Sequence, residues 1–126
     1  MYLPFATLIV RREFYKSGHK IDNEVLEGDP MSQEQQDSYK AIIGDGLGRI
    51  TIGRDMSEMD YGSGGKVFVS VSLACDQSGQ GMQYAIGLAA QMADYYVQQH
   101  YNEMKQRCLQ LGLLEPPAPP GSRPAY

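Results

Sequence analysis

The chain has 126 residues, 42% of them apolar and 21% charged, which suits one domain and excludes a wholly disordered protein. A net charge of −4 and a pI near 5.0 argue against a general nucleic-acid coat, whose affinity comes from cations that neutralise phosphates. No apolar run reaches the ~18 residues of a membrane span, which excludes a transmembrane helix.

The apolar start lacks a preceding positive residue and is interrupted by Pro4, so it fails as a signal peptide and reads as the first strand. From Ala6 to Tyr15 the chain alternates: Leu8, Val10 and Phe14 share one face, and Thr7, Ile9, Arg11 and Glu13 the other. Period two with β-branched and aromatic residues predicts a strand. Lys16 to His19 is a turn, with Gly18 supplying a positive φ, and Lys20 to Leu26 is the returning strand.

Asp29-Pro30 breaks the pattern. Ser32 and Gln35 form a capping box that opens a helix from about Gln33 to Ile43, with Tyr39, Ile42 and Ile43 inward and Gly44 as its stop. Asp45 to Gly48 is a turn, and Arg49 to Arg54 a short strand with Ile50 and Ile52 on one face. Asp55 to Gly65, acidic and then glycine-rich, is expected to be a long flexible loop. Lys66 to Ala74 alternates most cleanly, with Val67, Val69, Val71 and Leu73 on one face, the pattern of an antiparallel sheet covered on one side.

After a cap at Asp76 or Ser78, apolar residues recur at Met82, Ile86, Ala89, Ala93, Val97, Tyr101, Met104, Cys108 and Leu111, close to the helical period. The helix should end at Gly112. At ~45 Å it is longer than a globule of this size, ~36 Å across. A second strip, Tyr84, Leu88, Met92, Tyr95 and Tyr96, lies beside the first, and Gly87, Ala89, Ala90 and Ala93 would let another backbone approach. One strip is expected on the sheet and the other on a second copy, in a symmetric dimer or higher homo-oligomer. The fold class is therefore α+β: a small antiparallel β-sheet, a short helix and one long C-terminal amphipathic helix. Residues 1–112 form the domain, and 113–126, rich in proline, a flexible tail.

Few residues suggest chemistry. His19 and His100 sit in different elements, and Cys75 and Cys108 lack metal-ligand spacing, so no metal or other cofactor is expected. The two cysteines read as reduced thiols in a cytoplasmic protein. Asp55, Glu58 and Asp60 lack the spacing of a calcium loop. Neither glycine cluster fits a phosphate loop: Gly62 to Lys66 runs into a strand, and Gly44 to Gly48 follows a helix. No nucleophile–base pair or carboxylate pair stands out, so an enzyme is not expected.

Arginine and aromatic residues remain. Arg11, Arg12, Arg49, Arg54 and Arg107 lie on or beside structured elements, and arginine presents a fork that matches phosphate. Arg12 shares the face of Leu8, Val10 and Phe14, where an unpaired charge is costly. It must therefore lie at a sheet edge or meet an anion. Arg12 and Arg107, with Arg54, are the candidate phosphate ligands, and Tyr84 or Tyr95 the candidate stacking partner for a base.

A compact chain with a sheet followed by one long helix, over Ala6 to Leu111, and without a catalytic set resembles small bacteriophage accessory proteins. Among these it is similar to the phage sponge proteins that sequester nucleotide immune signals, such as anti-Thoeris proteins. The resemblance implies a non-enzymatic, anti-defence homo-oligomer that captures a phosphate-bearing nucleotide at a subunit junction. A virion or assembly module, or a single-stranded nucleic-acid binder, are the alternatives.

Overall fold

The computed structural model describes residues 5–43 and 48–116. The Gly44 stop, most of the following turn, the Ile43 side chain and the tail from residue 117 lie outside the described residues. The fold is α+β. Its elements are β1 (Ala6–Lys16), β2 (His19–Gly28), α1 (Gln33–Ile43), β3 (Gly48–Asp60), β4 (Ser63–Cys75) and α2 (Gly79–Gln110). The sheet runs β2-β1-β4-β3, antiparallel throughout. No helix among the described residues is long and apolar enough to cross a membrane.

Two hairpins build the sheet. Ser17 and Gly18 close the first with φ of 50° and 85°, and Tyr61 and Gly62 close the second with 49° and 81°. Positive φ at both central residues is the tight turn whose twist matches the flanking strands. The expected loop over Asp55 to Gly65 is thus corrected: β3 runs on to Asp60 and β4 starts at Ser63. Acidic residues and glycines mimic a loop, but here the acids line an exposed edge strand. Gly65 has a separate reason to be glycine. A Cβ there would stand 2.3 Å from Met104 Sδ and 3.1 Å from Cys108 Sγ on α2. The hairpin tips are joined, because Gly18 N donates to Gly62 O at 2.9 Å and Ser17 N to Ser63 Oγ at 2.9 Å.

One sheet face carries the core. Val10, Phe14, Val67, Val69, Val71 and Leu73 are almost wholly buried there, as the alternation of β1 and β4 requires, and Ile50 joins them from β3. α2 covers this face. Its buried residues are Gly81, Ala85, Ala89, Ala93, Val97, Met104 and Cys108. The phase of its first turns differs from expectation, since Met82 and Ile86 are exposed. The helix lies close to the sheet, so the inward positions take small residues and the larger ones turn outward. Ala89 and Ala93 therefore serve this contact and not a second copy. Leu113 is also buried and donates its N–H to Cys108 O at 2.8 Å, so the core extends one residue past Gly112.

The capping box forms: Gln35 N donates to Ser32 Oγ at 3.2 Å and Ser32 N to Gln35 Oε1 at 2.8 Å. α1 then lies beside α2. Tyr39 is buried and donates to Ala74 O at 2.8 Å, while Ile42 is exposed. Burial pushes the Tyr39 phenol up to about 12, so it stays a donor at every physiological pH. A groove of about 310 Å³ between the helices is lined by Met31, Tyr39, Ile42, Tyr84, Leu88 and Met92 among others. The second strip of α2 is thus partly covered within the chain.

Candidate functional site

Arg12 projects from β1 on the core face, and its side chain is 11% exposed. Three groups from two other elements receive it. Glu24 of β2 lies 3.5 Å from Nη1, and Glu103 of α2 pairs with Nη2. His100 Nδ1 is 2.6 Å from the same Nη2. Arg107 of α2, one turn beyond Glu103, shares Glu24 and adds Asp22. Its Nη2 is 3.1 Å from Asp22 and its Nε 3.1 Å from Glu24. The Nε contact is off the donor axis, so it is an ion pair and not a hydrogen bond. Phe14 lies under the Arg107 guanidinium, 5.4 Å from ring centre to Cζ. The structure thus brings Arg12 and Arg107 together, with Glu24 shared between them. Two guanidiniums face three carboxylates, Asp22, Glu24 and Glu103. The anions that Arg12 needs on an apolar face come from the chain itself, and the cluster as a whole is unattractive to phosphate.

Arginine only donates, so His100 Nδ1 must accept and the imidazole must be neutral. Burial and the Arg12 charge hold His100 below its ordinary value, against a smaller opposing effect of Glu103. A depressed histidine gives stability above the unfolded value of ~6.5 that is lost as pH falls through the folded value. Stability should therefore decline as pH falls below ~6.5. A His100→Gln variant should flatten that part of the profile. The check is the urea midpoint of both proteins at about pH 7.5 and about pH 5.5.

The other candidates do not converge on this cluster. Tyr84 stacks on Tyr39, with ring centres 6.0 Å apart, and lies ~34 Å along α2 from Arg107 at 1.5 Å per residue. Tyr95 is exposed and meets Tyr96 edge-on at 5.2 Å. Tyr96 in turn donates to Pro30 O at 2.8 Å. Arg54 extends from the far edge strand and pairs with Asp94 at 2.9 Å. Among the described residues no group of three or more His, Cys, Asp and Glu side chains could hold a metal ion. Cys75 and Cys108 are both buried, and burial raises the Cys108 thiol.

The opposite face of the sheet has no layer packed on it among the described residues. Its cross-strand rows follow from the register: Val25, Arg11, Phe68 and Asp55 in one, and Glu27, Ile9, Ser70 and Gly53 in the next. Arg11 lies over the Phe68 ring at 5.4 Å and forms no ion pair with a described residue. Lys66 lies over Tyr15 at 5.1 Å, and Glu13 accepts from Lys20 at 2.9 Å and Tyr15 at 2.8 Å. Those two hydrogen bonds hold the Glu13 carboxyl below its usual range. Beside Phe68 is a shallow hollow of about 290 Å³, lined by Ile9, Arg11, Gly53, Arg54, Asp55, Phe68, Val69 and Ser70. Of the hollow's lining, the sequence marks only Arg54 as a ligand; it places Arg11 on a strand without that role and does not foreshadow the hollow. Its signal is the polar face of β4 with one aromatic at Phe68. Comparison with protein-family models, characterised proteins and solved structures finds no match for this chain.

Proposed function

We propose that the protein is a non-enzymatic capture protein for a small phosphate-bearing nucleotide, and that the ligand binds on the open sheet face. The observation that carries this reading is the contrast between neighbouring arginines. Arg12 and Arg107 are occupied by internal carboxylates. Arg11, on the opposite face of β1, is exposed, unpaired among the described residues and set against an aromatic ring beside a hollow. A guanidinium and an aromatic wall supply what a phosphate and a base need. Sequestration of an immune signal, as in phage sponge proteins, is the role that the layout suggests for such a site.

The test is mass analysis of small molecules released when natively purified protein is denatured, followed by calorimetric titration. A nucleotide should be released unchanged. Arg11→Ala should lose charge-assisted bonds of about 1.5–3 kcal/mol, roughly 10- to 150-fold in affinity. Release of no nucleotide, together with no heat on titration of GTP or ATP, would remove the reading.

A second reading has its own support. Phe68 and Tyr15 each carry a cation over the ring, on the two central strands. Such a pair suits successive bases of a single strand. Oligonucleotide binding with a steep salt slope would favour it over a small ligand. Self-association through α2 is a separate proposal, supported by the exposed Met82, Ile86 and Tyr95. Light scattering at twice the 14.0 kDa chain mass would bear it out, and a monomer at micromolar concentration would end it.

A further inference from the structure

Several glycines are placed where a side chain cannot go. A Cβ would stand 2.8 Å from Gly18 N at Gly62, 2.0 Å from Glu58 O at Gly64, and 1.7 Å from Asp76 Oδ1 at Gly81. Gly53 differs. It sits inside β3, its φ is outside the left-handed region, and a Cβ would meet only Val69 O at an ordinary 3.8 Å. Nothing in the fold requires glycine there. Glycine inside a strand is destabilising relative to alanine. Its one structural consequence is the empty space over Gly53 and Ser70, between Ile9 and Phe68.

The polar groups around that space are few and of different kinds. Asp55 follows Phe68 in its row and lines the hollow. It has no hydrogen bond or ion pair with a described residue. An ionised carboxylate only accepts, and its two oxygens take two parallel N–H donors. Among the common bases, guanine presents two adjacent donors, N1–H and the N2 amino group, on one edge. Adenine and cytosine each pair an amino donor with a ring acceptor. That acceptor would face the carboxylate unfavourably. Arg11, on the other side of Phe68, is left for phosphate.

Resting on the function proposed above, we infer that the hollow is a guanine-selective site. The base lies over Gly53, Asp55 reads its N1–H and N2–H edge, and Arg11 holds phosphate.

Titration of GTP and ATP into the wild-type protein, Asp55→Asn and Gly53→Val tests this, with thermal melting of each variant as a folding check. GTP should bind wild type about tenfold or more tighter than ATP, the discrimination expected of one good bidentate pair. Asp55→Asn should erase the preference, lowering GTP affinity and raising ATP affinity, because the amide can donate to the adenine ring acceptor that the carboxylate repels. Gly53→Val should melt no lower than wild type, since a β-branched residue suits a strand, and should bind neither nucleotide. Gly53→Ala, a smaller change, should weaken both. Equal affinity for GTP and ATP, a preference that survives Asp55→Asn, or full binding by a folded Gly53→Val would overturn the guanine site and leave nucleotide capture standing. Wild-type protein that binds neither nucleotide would overturn both.

Discussion

Replacing Arg12 by alanine is expected to lower stability by about 3 kcal/mol. Arg12 is nearly buried and faces Glu24, Glu103 and His100. Its removal leaves Glu24, itself mostly buried, with Arg107 as its remaining cation and takes the cation from Glu103, and breaking a buried pair typically costs about 3–5 kcal/mol. The lower end applies because Glu103 is half exposed and water can take up part of its charge. For a domain of this size the loss corresponds to a fall in melting temperature of about 10 °C. Arg107→Ala should cost under about 1 kcal/mol, since its side chain and that of Asp22 are each 43% exposed and solvent screens such pairs. Urea denaturation of the two variants separates these expectations. Equal and small effects would mean that Arg12 does not bind the long helix to the first hairpin.

Gly65→Val is the second large change. The valine side chain would enter the space held by Met104 and Cys108. Overpacking of this kind costs about 1–3 kcal/mol, and the upper end applies because Met104 is itself wholly enclosed. Met104→Ala alone should cost about 2–5 kcal/mol through the cavity that it leaves. Together the two changes should cost less than their sum, because the new methyl groups occupy the vacated volume. Additive losses in the denaturation midpoints would show that Gly65 does not set the spacing between α2 and the sheet.

Much of this fold is legible in local pattern. The alternation of β1 and β4 reads directly as the buried face, and Ser32 with Gln35 marks the start of α1. What escapes local reading depends on contacts between distant elements. Gly64 and Gly65 look like loop glycines until α2 is known to press on one of them and the β3 backbone on the other. Met82 and Ile86 outrank Gly81 and Ala85 in hydrophobicity, yet the narrow gap between helix and sheet selects the small pair. The same holds at the candidate sites. A charge on the face of Val10 and Phe14 implies an anionic partner for Arg12; Glu24 follows from the register of the first hairpin, and Glu103 only from α2 lying over that hairpin. Nothing local marks Gly53, whose meaning is an absence of side chain beside Phe68, a residue of the neighbouring strand.

A nucleotide bound as proposed meets the open sheet face and not the arginine–carboxylate cluster under α2. Mapping of amide chemical shifts on addition of GTP reads both faces in one experiment. Binding on the open face should concentrate the shifts at Ile9, Arg11, Gly53, Asp55, Phe68 and Ser70 and leave Asp22, Glu24, His100, Glu103 and Arg107 unmoved. Shifts centred on the second group, with the first unmoved, would contradict it.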